Sequence, residues 1–439
     1  MVIEAPFVII GGGISGVTCA QQLQAVCPDK PVLVISRSPL VKRIGNISCH
    51  TQILEHFEVS ESQGETWAEE FPNLKVLIGN VDLINADDHM AHLSSGQLVK
   101  YKKLCICSGG TPKLIAENHP HVLGIRDTES VQLFQNRLKD ASRIILVGNG
   151  GIATELVYEL EGIQVIWVLK DKSMTATFVD PGAGQFFLHQ VNAPKKKETI
   201  SKRQQFNLSG FQTLTPLSAL LSPRKESKET WPLYVELTNG KIYGCDFLVS
   251  ATGVIPSFPK VLSKVTELKV SPEDVGIMVD KEMRTSVADV FAAGDVCTPA
   301  WQRSPLWFQM RLWTQARQMG HHAANCMVAS FKNEQGHTWS DFAFEVFAHM
   351  TQFFGFKVVL LGLFNGQGLG TDYEVLLRVT KGEEYVKAIL KDGKLKGAIL
   401  IGDTNLEETF ENLLLNQMDL SPFKDDLLNP NIDIEDFFD

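Results

Sequence analysis

Phe7-Val8-Ile9-Ile10-Gly11-Gly12-Gly13-Ile14-Ser15-Gly16 is the stretch on which the reading of this chain turns. Four consecutive β-favouring apolar residues read as a short buried strand, the glycines as a tight turn, and Val17 to Val26 as a helix with apolar residues at helical spacing. A second β-rich run, Val32 to Ile35, closes a strand-helix-strand unit long enough for its strands to run parallel. In such a turn Gly11 permits the reversal, Gly13 lets the backbone approach a pyrophosphate, and Gly16 lets the helix pack closely on the strand. The free N–H groups at the helix start, around Ile14 and Ser15, then face the phosphates.

The same grammar returns at Arg143 to Val147, followed by Gly148-Asn149-Gly150-Gly151-Ile152-Ala153, a helix through Leu160 and the strand Gln164 to Leu169. Ala153 replaces the third glycine, as the fingerprint allows, and Glu155 stands one turn into the helix. Two such units imply two nucleotide sites. The acid expected at the end of each second strand, for the adenosine ribose, is missing from both. The first unit has Ser36, which can hydrogen-bond a ribose hydroxyl, and Arg37, which can stack on adenine. The second has Lys170-Asp171-Lys172, where the lysines suit the extra phosphate of NADPH and equally suit a charged surface turn. The choice between NADH and NADPH stays open.

The rest of the sequence bounds the class. A chain of 439 residues is long for one core and implies about three domains. Its 44% hydrophobic and 21% charged content is that of a soluble globular protein. The net charge of -10 offers no global field for a nucleic-acid backbone, so direct nucleic-acid binding is not expected. No run of about 18 apolar residues argues for a membrane span, and the start has no signal-peptide pattern, so the chain reads as intracellular. Eight scattered cysteines, most in apolar runs, fit a reduced compartment, and no CxxC or CxxxxC spacing is present. His321, His322 and His349 lack any metal-ligand pattern, and no metal is expected. Lys75 to Lys103 alternates in the manner of antiparallel strands, residues 305–330 look helical, and about Asp341 to Ile401 reads as short strands. Near 195–228 the polar, aperiodic composition reads as a flexible insertion.

Cys107-Ser108-Gly109, Ser250-Ala251-Thr252-Gly253 and Thr285 through Phe291-Ala292-Ala293-Gly294-Asp295, taken with the two glycine turns, resemble the pyridine nucleotide-disulphide oxidoreductase superfamily over about residues 5–325. That resemblance implies FAD at the first turn and NADH or NADPH at the second. It implies that Asp295 bonds the flavin ribityl chain and that the following helix aims its N-terminus at the flavin pyrimidine edge, stabilising a reduced anionic flavin. Ser38 to Lys42 is similar to the loop that brings a lysine near the isoalloxazine, against a solvent-facing charge as the alternative for Lys42. Trp307 or Trp313 could cover the isoalloxazine or simply pack. Disulphide reductases of the superfamily carry a cysteine pair after the second strand; here only Cys49 stands there, so electrons are expected to leave the flavin directly, with a single-cysteine cycle as the alternative.

Trp301 to Gly320, Phe347-Ala348-His349, Asn365 to Gly370, Leu406 to Asn412 and Asn429 to Asp436 are similar to one narrower, dithiol-lacking family within that superfamily, over the whole chain. The resemblance implies a slow NAD(P)H-oxidising flavoprotein of cytoplasm and nucleus that guards the metazoan tRNA ligase complex. The acidic tail 424–439, with Ile432, Ile434, Phe437 and Phe438 among its carboxylates, is a candidate for docking that partner. A gated binding module, whose reduced state recruits the partner, uses the same sites.

The expected architecture is an α/β protein with two Rossmann-type, glutathione-reductase-like domains, the second inserted in the first, plus a small β-rich domain. The expected boundaries are 1–123 and 245–332 for FAD, 124–244 for NAD(P), and 333–423 for the β-rich domain. The candidate cofactor residues are Gly11, Gly13, Ile14, Ser15, Gly16, Ser36, Arg37, Lys42, Ser108, Gly109, Gly253, Gly294 and Asp295 in the first domain and Gly148, Gly150, Gly151, Ile152, Glu155 and Lys170 in the second, with Lys42 and Trp313 at the chemistry.

Overall fold

A computed structural model of the chain describes residues 2–192, 204–205, 230–334 and 344–430. Most of the expected insertion near 195–228, and residues 431–439 of the expected tail, lie outside the described residues. The chain divides into two compact units, Met1–Thr111 with Ile255–His349, and Pro112–Val254 with Met350–Asp439.

The first unit is built on a five-stranded parallel sheet in the order Val290–Ala292, Lys103–Ile106, Phe7–Ile10, Val32–Ser36, Leu74–Ile78. Phe7–Ile10 and Val32–Ser36 are buried along their whole length, which is why they read as continuous apolar runs: a parallel sheet is covered on both faces. Helix Ile14–Val26 is the crossover, and helix Trp313–Lys332 packs on it so closely that a Cβ on Gly320 would lie 2.3 Å from the carbonyl oxygen of Ser15. A smaller sheet, in the order Val2–Glu4, Leu98–Lys100, Met90–Leu93, Val81–Asn85, Lys260–Leu262, contains the antiparallel strands expected from the alternation. After the second strand of the main sheet the chain forms a long antiparallel hairpin, Leu40–Cys49 with Glu55–Gln63. Sequence reading missed it, because its alternation is interrupted by Gly45 and by a register irregularity between Gly45 and Ser48.

The second unit repeats the parallel design in the order Val122–Gly124, Phe247–Ser250, Arg143–Val147, Gln164–Val168, Gln204–Gln205. The expected small β-rich domain is present, and from Met350 onward its residues belong to this second compact unit. Its antiparallel strands Phe356–Gly362, Lys394–Ile401, Glu384–Lys391 and Glu374–Thr380 are joined to the nucleotide-domain part by a polar clamp. Asp180, just before helix Pro181–Asn192, accepts hydrogen bonds from Lys387 Nζ at 2.7 Å and Tyr385 OH at 3.0 Å. Phe186 packs against Phe356 and Tyr385. Burial alone would raise the Asp180 carboxyl, but the Lys387 ammonium outweighs it and holds the pKa below the usual carboxylate range. Residues 424–430, expected to open a tail, are folded: Leu427 is buried and Arg378 donates to Leu428 O at 3.2 Å.

Candidate functional site

In the first unit the strand Phe7–Ile10 ends at Gly11, whose φ of +122° lies where a side chain is strained. A Cβ there would sit 2.3 Å from Cys107 O, and one on Gly16 would sit 1.9 Å from Gly11 O. Both glycines are therefore demanded by backbone packing. Gly13 is different: its backbone is extended and no atom lies within 4 Å of where its Cβ would be. It is the N-cap of helix Ile14–Val26 and supplies no side-chain cap, and the first intrahelical bond is from Val17, so the N–H groups at Ile14, Ser15 and Gly16 have no acceptor within the helix. Such a helix start suits an anion.

Gly12 is close-packed for another reason, since its Cβ would lie 2.8 Å from Ser36 Oγ and from Val41. Ser36 is buried and donates its hydroxyl proton to Ser38 O at 2.8 Å, leaving it only as an acceptor for a ligand. Arg37, next to it, is exposed. Lys42 lies on the hairpin with its N–H bonded to Gly12 O at 2.9 Å, and its ammonium pairs with Glu61 across the hairpin at 2.5 Å. Ser108 Oγ donates to Ser257 O at 2.5 Å, and Gly109 takes a φ of +67°. Gly294, at φ +84°, brings its backbone against Ser15, where a Cβ would lie 2.8 Å from Ser15 Cβ. Asp295 is half-buried, and its carbonyl oxygen accepts from Arg311 Nε at 2.8 Å. Arg311 in turn holds Asp274 at 2.6 Å; against the opposing effect of burial, that guanidinium and hydroxyl donors including Thr298 bring the Asp274 carboxyl down to about 2. This Arg311–Asp274 brace was not foreseen, since nothing in the sequence links residues 274, 295 and 311.

The two tryptophans separate cleanly. Trp307 is buried, stacks on Trp301 at 5.9 Å and meets Phe344 edge-on, so it is packing. Trp313 opens the helix Trp313–Lys332 and is 58% exposed, leaving its indole face available. One residue on, Thr314 Oγ1 lies 3.3 Å from Nδ1 of His349, whose burial pushes its pKa down to about 4. His349 is therefore neutral at physiological pH.

Cys49 is exposed at the end of the hairpin opposite Glu55, and the other seven cysteines are buried. The Cys105 and Cys107 sulphurs lie 3.5 Å apart inside the core. Hydrogen bonding with Cys107 and Cys19, together with burial, holds the Cys105 thiol well above its ordinary pKa, which makes it an unreactive thiol. Burial likewise pushes Cys245 and Cys326 up to about 12. Among the described residues no cluster of His, Cys, Asp or Glu could hold a metal ion, and no helix is long and apolar enough to cross a membrane.

The second unit repeats the plan of the first turn. Gly148 has φ +141°, and a Cβ there would lie 2.1 Å from Ala251 O, as one on Gly11 would from Cys107 O. Gly150, like Gly13, caps its helix, Gly151–Glu159, with extended backbone and nothing within 4 Å of the missing Cβ. Gly151 and the exposed Ile152 form the helix start, and Ala153 is fully buried at the third position. Gly253, at φ +97°, matches Gly109. The differences lie around the turn. Asn149 replaces Gly12 and bonds Asp171 Oδ2 at 2.8 Å, Ser173 O at 2.9 Å and the N–H of Thr175 at 2.5 Å. Asp171 is thereby engaged by the protein, while Lys170 is exposed. Glu155 is solvent-accessible, yet the surrounding protein and, secondarily, Glu159 raise its carboxyl above the usual range. The Asn149 network was not foreseen, because a polar residue at the variable position between the first two glycines of the turn gives no signal of it.

Residues 5–320 match the family model for pyridine nucleotide-disulphide oxidoreductase, and residues 348–418 that for the rubredoxin NAD+ reductase C-terminal domain. The chain is 46% identical over 502 residues to the mouse (Mus musculus) pyridine nucleotide-disulfide oxidoreductase domain-containing protein 1, covering 99% of this chain and all of that one. Among solved structures, that of Fdr9 is similar with a TM-score of 0.68 at 18% identity, over 95% of this chain and 96% of that one. A ferredoxin reductase for the CYP199A2 system from Rhodopseudomonas palustris is similar with a TM-score of 0.65 at 17% identity, over 90% and 91% of the two chains. These two likenesses bear on the fold.

Proposed function

This chain belongs to the pyridine nucleotide-disulphide oxidoreductase family, and from that premise we propose that it is an FAD-dependent NAD(P)H oxidoreductase that uses no protein dithiol. One observation carries the reading: each unit holds a glycine turn whose first glycine is locked by backbone contact and whose second opens onto empty space, a cradle that any Cβ would fill. The residues fit a dinucleotide in both units. For FAD, Gly13, Ile14, Ser15 and Gly16 would take the pyrophosphate, Ser36 and Arg37 the adenosine, and Ser108, Gly109, Gly294 and Asp295 the remainder, with Lys42 and Trp313 toward the ring. For the nicotinamide dinucleotide, Gly150, Gly151 and Ile152 would take the pyrophosphate and Lys170 the adenosine end, with Glu155 and Gly253 flanking. Bound flavin would supply a hydride acceptor, which no amino-acid side chain offers. The chain's own residues orient and polarise: Arg311 fixes the backbone at Asp295, the uncapped N-terminus of helix Trp313–Lys332 lends positive potential, and Glu61 holds the Lys42 ammonium.

Anaerobic titration of the purified protein with NADH and with NADPH tests this reading. The expected result is a yellow protein bleached by at least one nicotinamide, with turnover unchanged in Cys49→Ser. A colourless protein that does not take up flavin would overturn it, and loss of turnover in Cys49→Ser would favour a single-cysteine cycle through this exposed thiol.

We propose further that the enzyme works in cytoplasm and nucleus to protect the tRNA ligase complex, with the carboxyl-terminal acidic residues 430–439 as its docking segment. The support is the resemblance of the carboxyl-terminal sequence and the mixture of apolar anchors and carboxylates in the tail. Deleting residues 430–439 should abolish co-purification with the ligase while FAD stays bound. Persistence of reduced flavin under air, measured in the same preparation, would favour a nicotinamide-gated binding module over a turnover enzyme.

A further inference from the structure

Strand Glu55–Gln63 of the long hairpin carries Glu55, Phe57, Val59 and Glu61 on one face, all half-buried, and leaves His56, Glu58 and Ser60 between them exposed. Both carboxylates of the half-buried face meet a cation. Glu61 pairs with Lys42 across the hairpin, and Glu55, about 20 Å away along the same strand face, pairs with Arg317 of helix Trp313–Lys332. The Arg317 pair is well enclosed, with side chains 15% and 24% exposed, and its guanidinium carbon stands 5.8 Å from the centre of the Phe57 ring. The hairpin therefore reaches from the first glycine turn, where the Lys42 N–H bonds Gly12 O, to the start of that helix.

The start of a helix disfavours a cation, because its own end already carries partial positive charge, and Arg317 lies only one turn beyond Trp313, the first helical residue. The helix has no acid in its first turn to offset the guanidinium, so the compensating carboxylate comes from another element, as Glu55. Residues four apart share a helix face, which puts the Arg317–Glu55 pair one turn behind Trp313, the exposed indole assigned above toward the flavin. We infer that Glu55 is a positioning residue for electron transfer: by neutralising Arg317 it sets how strongly the reduced flavin holds its electrons. The inference rests on the FAD reading. A hydride brings the ring two electrons and one proton and leaves it with one negative charge, and an unpaired guanidinium behind the helix start would stabilise that charge and slow its passage to an acceptor. With Glu55 in place, the helix N-terminus is left as the moderate stabiliser. The hairpin follows the second strand, where disulphide reductases carry their cysteine pair, and here that segment supplies charge control in place of a thiol relay.

The test is the reduction potential of flavin bound to the full chain, measured by equilibration with a reference dye, in wild type, Glu55→Gln, Arg317→Gln, the double variant and Arg317→Lys. Glu55→Gln leaves the guanidinium uncompensated and should raise the equilibrium constant for flavin reduction by about tenfold, a rise of about 30 mV for two electrons. Arg317→Gln leaves the carboxylate uncompensated and should lower the constant by a similar factor. The double variant should return close to wild type, and so should Arg317→Lys, which keeps the charge while giving up the planar fork and the ring contact. A merely loosened hairpin would move every variant the same way, so opposite signs in the two single variants separate charge from packing. Unshifted potentials, shifts of one sign, or an Arg317→Lys shift as large as that of Arg317→Gln overturn the inference while the protein stays yellow. A wild type that cannot be loaded with flavin overturns the FAD reading itself.

Discussion

The two glycine turns are built to one plan and finished differently, and the difference separates what a dinucleotide needs from what the surrounding fold needs. Gly11 and Gly148 meet the same obstacle, a carbonyl oxygen of the neighbouring strand, and Gly13 and Gly150 open onto the same empty space. The residue between the first two glycines and the third glycine position have diverged. Gly12 faces Ser36 and Val41 and has no room for a side chain, whereas Asn149 uses its side chain to hold the loop at Asp171, Ser173 and Thr175. Gly16 touches Gly11 O, whereas Ala153 finds space for a methyl group. The locked first glycine and the open second are kept in both units, whereas positions 12/149 and 16/153 follow the packing around each turn.

The largest expected effect uses the open positions. Gly13→Val adds a side chain to empty space, so the fold should survive, yet it fills the phosphate cradle; the purified protein should be colourless. Gly150→Val should remain yellow and lose at least about 100-fold in kcat/KM for NAD(P)H, roughly 3 kcal/mol of transition-state stabilisation. Flavin content and anaerobic bleaching read both variants. Loss of flavin in Gly150→Val would break the assignment of one cofactor to each turn.

The third glycine position gives an effect of intermediate size and contrasting cause. Gly16→Ala must displace Gly11 O and should destabilise the first unit by about 2–4 kcal/mol, within the range seen for overpacking plus backbone shift. Ala153→Gly relieves nothing and should cost about 1 kcal/mol through helix propensity and the lost buried methyl group. Denaturant midpoints followed by flavin fluorescence and by far-UV circular dichroism distinguish them.

Acid titration extends the comparison beyond the turns. Asp274 is held down at about 2 against an ordinary 3.8, so its contribution is fully present above 3.8 and is lost as pH falls through about 2. Glu155 has the opposite sign: its raised pKa favours the protonated form in the folded state, a contribution present at low pH and lost as pH rises through the folded pKa. Asp274→Asn should therefore flatten the acid limb of stability by about 1 kcal/mol after allowance for solvent screening. Glu155→Gln should leave that limb alone and slightly stabilise the protein at neutral pH. A pH series of urea melts decides both.

What was legible in the sequence follows from the range of the interactions involved. Both turns, their helices and the flanking parallel strands are local patterns, in which a strand period gives way within ten residues to a glycine turn and a helix period. Gly109, Gly253 and Gly294 were legible as motif members, and each takes a positive φ that demands glycine. The hairpin Leu40–Cys49 with Glu55–Gln63 was not legible, because it alternates imperfectly and exposes much of both strands. Nor was the union of the carboxyl-terminal sheet with the second unit, which depends on a buried ammonium: Lys387 and Asp180 are 207 positions apart in sequence, and an isolated lysine in a strand reads as solvent-facing. Trp307 and Trp313 lie six positions apart and looked alike; only packing against Trp301 and Phe344 tells them apart.

The smallest expected effect concerns Arg37 and Lys170, which occupy the same place just beyond the second strand of each unit and are both exposed. Among the described residues neither is held by a partner carboxylate that would need replacing, so substitution should not disturb the fold. Asp171, the neighbour that could have bonded a ribose, is engaged by Asn149, while Lys170, nearer the strand end than the likewise exposed Lys172, is exposed to meet a ligand. A 2′-phosphate beside an exposed ammonium is worth about 1 kcal/mol, or roughly fivefold in affinity. Lys170→Ala should thus raise KM for NADPH by about fivefold and leave KM for NADH unchanged, while Arg37→Ala should leave both unchanged and weaken only flavin retention. Equal effects of Lys170→Ala on the two nicotinamides would show that this strand end contributes general charge and does not discriminate between them.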